Sequence, residues 1–468
     1  MKRTLINETP KYIGKKVRVC GWVNSRRDHG KIIFIDLRDR SGVLQVVFTP
    51  QLKEELYISA QKLRDEWVIE VVGEIKKRPE GMENPKIPTG EVELRAENLV
   101  IFSRAKTLPF SIDNDGYRIA EEKRLKYRYL DLRRKRLQRN LKIRQEVIKF
   151  MREFLQKNGF LEVETPLLTK STPEGARDFL VPARLQPGKF YALPQSPQQY
   201  KQLLMVSGIE KYFQVAKCLR DEDPRADRQA EHTQLDIEMS FVDQEEILTL
   251  VEKLYIETCQ KIFPEKRIKE IPFPRITYKE SLEKYKSDKP DLRADKKDQN
   301  ELAFCFVTDF PMFEWSEHEK CWGAMHHPFT KPQTEDTNKI KQSPEKILAY
   351  QYDVVLNGYE IGGGSLRTTN LDVLFTVFEV LGHKREEIEK QFGHLLEAFQ
   401  YGVPPHGGIA LGIERFLAIL LSEPNIREVI AFPKTGDNRD LMMEIPSEVS
   451  KEQLKELHLK IIKPKKEK

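Results

Sequence analysis

The sequence predicts an α+β protein with a separate, all-β N-terminal part. Two patterns carry that expectation. Short apolar-alternating runs divided by turn signals occupy residues 15 to about 101. Beyond 160 and up to about 435, strand-like and helix-like stretches mix, with several antiparallel-looking pieces.

Each element follows from its residues. Val17, Val19 and Gly21 alternate with Arg18, Cys20 and Trp22. Asp28-His29-Gly30 turns the chain into Ile33–Leu37, and Asp39–Gly42 turns it into Val43–Phe48. Further strands are expected at Trp67–Val72 and Val92–Ile101. Several short strands in about 100 residues suggest a small barrel such as an OB-fold, assigned here to residues 1–104. Residues 105–135 read as a connector. From Lys123 to Arg144 there are eleven Lys or Arg and one acid, Asp131. Such a run is either a solvated helix face or a phosphate-facing hinge between domains. Leu137, Leu141, Val147, Ile148, Met151, Phe154 and Leu155 have helical spacing, and Asn158-Gly159 ends the helix. The α+β part is assigned to 136–435 and a C-terminal extension to 436–468. That extension has a capping box, Ser450 to Gln453, and a basic end, Lys463 to Lys468.

Composition narrows the class. The 468 residues are 39% hydrophobic and 32% charged, with a net charge of +6. That balance excludes a histone-like protein. No apolar stretch approaches a membrane span, and Met1 to Thr4 is not followed by a signal-peptide core. Five scattered cysteines argue against a disulfide framework, so a cytoplasmic protein is expected. Cys305, Cys321, His318, His326 and His327 could hint at zinc, but no pair has the usual finger spacing.

The stretch 211–241 carries most of the chemistry. A strand from Tyr212 to Leu219 leads into the charged turn Arg220–Gln229. The return strand alternates Gln234, Asp236, Glu238 and Ser240 against Leu235, Ile237, Met239 and Phe241. One face is expected to enter a core and the other to present an amide, two carboxylates and a hydroxyl. A solvent-facing hairpin is the bland alternative. Against it, Arg220, Glu222, Arg225 and Arg228 crowd the turn, and arginines beside acids suit a polyphosphate with Mg²⁺.

This stretch resembles motif 2 of the class II aminoacyl-tRNA synthetases. Phe160–Pro166 resembles motif 1, and Gly408–Arg415 resembles motif 3, in the family's order. The resemblance is to the bacterial-type aspartyl members and covers nearly the whole chain. It implies ATP and L-aspartate as substrates, Mg²⁺ as cofactor, tRNA-Asp and possibly tRNA-Asn as partners, and a homodimer whose interface includes Pro166.

Residue by residue, the resemblance implies a set of roles. Arg220 would meet the α-phosphate and the aspartate carboxylate. Glu222 would lie near the adenine amino group, and Arg415 at the γ-phosphate end. Asp221, Gln229, His232, Gly363, Gly412, Ile413 and Glu414 would complete the ATP site. Asp353 and Glu360 would bind Mg²⁺. Lys201 and Arg367 would clamp the aspartate side chain, and Asp236 would take its ammonium. Ser196, Gln198, Gln234, His326 and His327 would assist, as would Glu174 in the loop Ser171–Phe179, which resembles a closing lid. In the barrel, Phe34 would stack an anticodon base, and Arg27, Gln45 and Glu93 would read base edges. His29 stands where members restricted to tRNA-Asp usually carry leucine, so a relaxed enzyme is expected.

Bland alternatives stand beside these roles. Arg415 could be a buried ion pair with Glu414 or another acid, Lys201 a surface lysine, Gly362–Gly364 a tight strand, and Phe34 core. An asparagine or lysine ligase, an asparagine synthetase, or an RNA-binding protein with an inert synthetase domain are the competing functions. The family's large inserted domain is expected to be missing, because only Ala294–Cys305 separates its lead-in from its exit. His232 replaces a phenylalanine that stacks on adenine in relatives.

Overall fold

The structure is a computed structural model that describes residues 1–171, 176–318 and 320–462. It divides into two compact units, Met1–Ser111 and a second from Ile112 onward. The division lies within residues 105–135, the stretch read as a connector.

The first unit is a closed barrel. Its strands are β1 (Lys16–His29), β2 (Ile32–Arg38), β3 (Val43–Phe48), β4 (Val68–Lys77) and β5 (Val92–Ser103), in the order β1-β2-β3-β5-β4. Alternation decides its inside. Along β2, Ile33, Ile35 and Leu37 are buried while Ile32, Phe34 and Asp36 are only half-buried. Phe34 is therefore an outward residue and not core.

The second unit is built on an eight-stranded sheet. In chain order its strands are β6 (Leu161–Glu162), β7 (Lys211–Leu219), β8 (Glu231–Ser240), β9 (Arg275–Thr277), β10 (Phe304–Thr308), β11 (Gln351–Leu356), β12 (Tyr359–Leu366) and β13 (His406–Gly412). The spatial order is β9-β10-β11-β12-β13-β8-β7-β6. Only the outermost pairs, β6–β7 and β9–β10, are parallel. The helices Lys135–Lys157 and Gln244–Ile262 bury Met151, Leu155, Leu248 and Val251 in one core with Leu235 and Ile237 of β8. Phe241 breaks the expected pattern: it lies past β8 in a left-handed conformation (φ 58°) and is exposed.

The basic run corrects the hinge reading. Arg124, Arg128 and Arg134 are buried, and all three pair with Asp131 at 3.3, 2.8 and 2.6 Å. Arg124 and Arg136 also pair with Glu428, at 2.7 and 2.8 Å. These charges close the second unit upon itself because a buried guanidinium needs a carboxylate partner. A phosphate-facing role is left to the exposed members, such as Lys123 and Lys126.

Burial disfavours an ionised Glu428, but Arg124 and Arg136 outweigh it and hold its carboxyl at about 2, against an ordinary 4.5. A lowered folded-state value stabilises the fold above pH 4.5, and the contribution fades as pH falls towards 2. Glu428→Gln should lower unfolding stability by about 3–5 kcal/mol at neutral pH in a denaturant titration. Its deficit should shrink on acidification over that window; a constant deficit would contradict the pairing.

Candidate active site

The hairpin of β7 and β8 supplies the floor of a cavity of about 320 Å³. His232, Gln234 and Asp236 alternate along β8 and all line it. Arg220, Glu222 and Gln229 line it from the loop between the two strands. From β12 come Glu360, Gly363 and, just past the strand, Arg367. From β13 and the helix Ile413–Leu420 come Gly412, Glu414 and Arg415. Ser196, Gln198 and Lys201 enter at the start of the helix Gln198–Val206, and His326 and His327 complete the wall.

At its centre is a buried charge cluster. Lys201 Nζ lies 2.6 Å from Asp236 Oδ1 and 3.2 Å from Glu238 Oε2. Arg367 donates Nε and Nη2 to the two oxygens of Glu238 at 2.8 and 3.0 Å. All four side chains are at most 2% exposed. Burial opposes an ionised Glu238, yet Arg367 and Lys201 hold it at about 2. Burial pushes the Asp236 carboxyl up, and Lys201 only partly offsets this. Arg367 also donates Nη1 to His327 Nε2 at 2.7 Å and to Ser365 Oγ at 2.6 Å. A guanidinium has no acceptor, so His327 must be neutral with its lone pair on Nε2. Its buried setting, with His326 and Arg367 close by, pushes its pKa well down in agreement.

The cluster is not self-contained. Among the described residues, partners take four of the five N–H bonds of Arg367 and one of the three of Lys201, whose Nζ also pairs in charge with Glu238. Asp236 Oδ2 and Gln198 Nε2 are buried without a hydrogen-bond partner. A buried acceptor and donor of this kind call for a polar ligand. Glu238 is the residue that the sequence reading left out of the site. Its signal was present, since it shares a face with Asp236 two residues away.

The other end of the cavity is cationic. Arg415 donates Nε to the Asp227 carbonyl oxygen (3.0 Å) and Nη1 to the Glu360 carbonyl oxygen (2.9 Å), with the Asp227 carboxylate at 3.3 Å. The alternative of a pair with Glu414 fails, because Glu414 accepts from Arg144 at 2.7 Å and from the Thr233 backbone N–H at 3.1 Å. Glu414 thus lines the cavity with its carboxylate already engaged. Arg220 donates Nε to the Gln195 carbonyl oxygen at 3.3 Å, and Glu222 accepts from Arg228 at 2.7 Å. The Gln229 amide bonds the Lys434 carbonyl oxygen at 2.6 Å. Burial, then Arg220 and Arg415, push His232 down to about 3, so a neutral ring faces the cavity. Burial and Arg367 do the same for His326, also to about 3.

Some expected residues fall elsewhere. Ile413 is core, because the first turn of its helix packs that side chain under the sheet. Asp221 bridges to Arg177 and does not line the cavity. Asp353 lies behind Gly363, where an added Cβ would meet Asp353 Oδ1 at 2.9 Å and Glu360 Oε1 at 3.6 Å. Burial and the Glu360 carboxylate push Asp353 well up; for Glu360, Arg415 and Lys289 outweigh burial and lower it. Glu174 and residues 172–175 lie outside the described residues. The flanks of that loop are tied, since Gln195 bonds Ala176 and Asp178 at 2.6–3.0 Å. Among the described residues no group of three or more His, Cys, Asp or Glu is placed to hold a metal ion.

On the barrel, Arg27 donates to Asp36 at 2.9 Å and to Gln45 at 3.4 Å, and Gln45 donates to Glu93 at 2.9 Å. The His29 ring stands edge-on to Phe34, 6.2 Å between centroids. The five expected base-reading residues thus share one patch across β1, β2, β3 and β5.

Known proteins resemble both units. Residues 17–102 match the family of OB-fold nucleic acid binding domains. The chain is 43% identical to aspartate–tRNA(Asp/Asn) ligase of Rubrobacter xylanophilus, over 97% of this chain and 96% of that protein. It is 41% identical to aspartate–tRNA ligase of Staphylococcus carnosus, over 97% and 98%. The crystal structure of asparaginyl-tRNA synthetase from Pyrococcus horikoshii complexed with asparaginyl-adenylate superimposes with a TM-score of 0.74 at 27% identity, covering 93% of this chain and 98% of that one. Residues 120–436, more than half of the chain, match the tRNA synthetases class II (D, K and N), and the chain belongs to that family.

Proposed function

We propose that this enzyme is an aspartate–tRNA ligase that charges both tRNA-Asp and tRNA-Asn. One observation carries the amino-acid choice: Lys201, Arg367 and the unpartnered Asp236 Oδ2 converge on one cavity with Arg220 and Arg415. The remaining N–H groups of Lys201 and of Arg367 suit a side-chain carboxylate, and Asp236 suits an ammonium. A neutral amide would leave one of those donors facing another donor, which disfavours asparagine. Lysine would bring a third cation to the clamp.

The class II family works with ATP. In the reaction read here, an α-carboxylate oxygen of aspartate attacks the α-phosphorus of ATP, pyrophosphate leaves, and aspartyl-adenylate forms. A ribose hydroxyl at the tRNA 3′ end then attacks the adenylate carbonyl and releases AMP. The protein contributes position and charge more than a nucleophile. Arg220 neutralises the reacting phosphate beside the substrate carboxylate. Arg415, at the far end, suits the outer phosphates. The neutral His232 ring suits stacking on the base. Asp353 and Glu360 flank Gly363 with hard oxygen donors and are the groups that would hold Mg²⁺. Two carboxylates plus phosphate oxygens fit that ion's habit, and when bound it neutralises phosphate charge.

Three further readings have support. Leu161, Leu167, Leu168, Leu180 and Phe190, around the motif 1-like strand, are all exposed. Such an apolar surface suits a second copy of the chain in a homodimer. The relatives' alignments span 578 positions against 468 residues here. At least about 100 positions are therefore gaps in this chain, which fits a lost insertion at 294–305. His29 beside Phe34, and relatives named for both tRNAs, favour relaxed tRNA choice.

Aspartate-dependent exchange of pyrophosphate into ATP tests the reaction directly; exchange with asparagine and none with aspartate would overturn the proposal. Lys201→Met should cut that exchange by on the order of 100-fold while ATP still binds, and unaltered kinetics would refute the clamp. For Phe34→Ala, tRNA charging should weaken by about 1–3 kcal/mol with adenylate formation spared; equal losses in the two assays would count against base stacking. His29→Leu should shift the charging ratio towards tRNA-Asp when both purified tRNAs are compared, and a constant ratio would remove this residue from the argument.

A further inference from the structure

One cation near the nucleotide end has none of the substrate-binding roles that the resemblance implies. Lys289 lies between the helix Tyr278–Tyr285 and β10, and its Nζ is 3.3 Å from Glu360 Oε2. The same oxygen faces Arg415 Nη1 at 3.8 Å. The backbone around Lys289 is braced. Ser281 Oγ donates to the Ser287 carbonyl oxygen at 2.7 Å, and the Lys289 N–H donates to Ser287 Oγ at 3.0 Å. Two residues on, Asp291 pairs with Arg293 at 2.8 Å. Asp291 in turn packs on Gly358, in the turn between β11 and β12, where an added Cβ would meet Asp291 Cβ at 3.3 Å. The segment is therefore held against the strand that presents Glu360, although Lys289 itself is not among the residues lining the cavity.

We propose that Lys289 competes with divalent cations for the Glu360 carboxylate, so that such an ion binds there only together with the nucleotide. The inference rests on reading Glu360 as a metal-binding group. One carboxylate already matched by an ammonium and a guanidinium is a poor ligand for a bare dication, which must approach to about 2.1 Å and meet both positive groups. Nucleotide phosphates bring several negative charges at once and reverse that balance. Lys289 is thereby a positioning residue: it acts through Glu360 and makes the metal arrive with its substrate.

Mn²⁺ is a suitable probe, because its free concentration is read by electron paramagnetic resonance. The full chain would be titrated with Mn²⁺ alone and with a non-hydrolysable ATP analogue. Wild type should bind Mn²⁺ weakly alone and at least about tenfold more tightly with the analogue. Lys289→Met should bind Mn²⁺ alone about tenfold more tightly than wild type, and Lys289→Arg should behave as wild type. Lys289→Met no tighter than wild type overturns the inference. Should Lys289→Met fail to give a normal melting curve, Lys289→Gln replaces it with the same criterion. Glu360→Gln separates the two readings. If it leaves the analogue-dependent Mn²⁺ site intact, Glu360 is not a ligand and the underlying reading fails. If it abolishes that site while Lys289→Met has no effect, only the competition fails.

Discussion

The site depends on one constraint: four charged side chains, Lys201, Asp236, Glu238 and Arg367, sit together out of water. Burying a charge is costly unless each ion is paired and hydrogen-bonded. Glu238 resolves this for both cations at once, gripping Arg367 with two oxygens and Lys201 with one. The pocket is thereby built before any ligand enters, and the cluster needs little reorganisation to receive one. Glu238 is a buried counter-ion, and its role is to hold the cations at a fixed separation.

The backbone around that cluster is shaped to admit it. Gly408 faces Glu238 across the β8–β13 pair, and a side chain there would overlap the carboxylate. Gly362, Gly363 and Gly364 allow β12 to press between β11 and β13 while leaving room for Asp353 and Glu360. The glycine run is thus both a tight strand and a wall of the cavity. Farther out, Arg144 ties Glu414 to Thr233, joining the helix Lys135–Lys157 to β8 and to the helix Ile413–Leu420 that carries Arg415.

The barrel follows a different logic. The patch of Arg27, Gln45 and Glu93 is internally hydrogen-bonded, with Gln45 and Glu93 buried, so the three side chains are held in place by one another. Phe34 stays on the surface because Ile33 and Ile35 fill the interior. Pre-ordered edges around one accessible ring suit a single-stranded partner whose bases are splayed out.

Much of this was legible in residue order. Alternation with period two located β1 and the face of β8 that carries Gln234 and Asp236, since strand geometry is local. Turn residues marked the hairpins, and the motif residues came together largely as their resemblance implied. What residue order could not decide is pairing between distant segments. The arginines at 124–136 looked like a solvated or phosphate-facing run until Glu423 and Glu428, some 300 residues away, closed on them. Glu238 looked like one more strand acid until Arg367 met it 129 residues later. Ile413 and Arg415 are two residues apart, yet helical geometry sends one into the core and the other to the cavity. Local pattern determines which side chains share a face; only the assembled sheet decides which charges that face must answer.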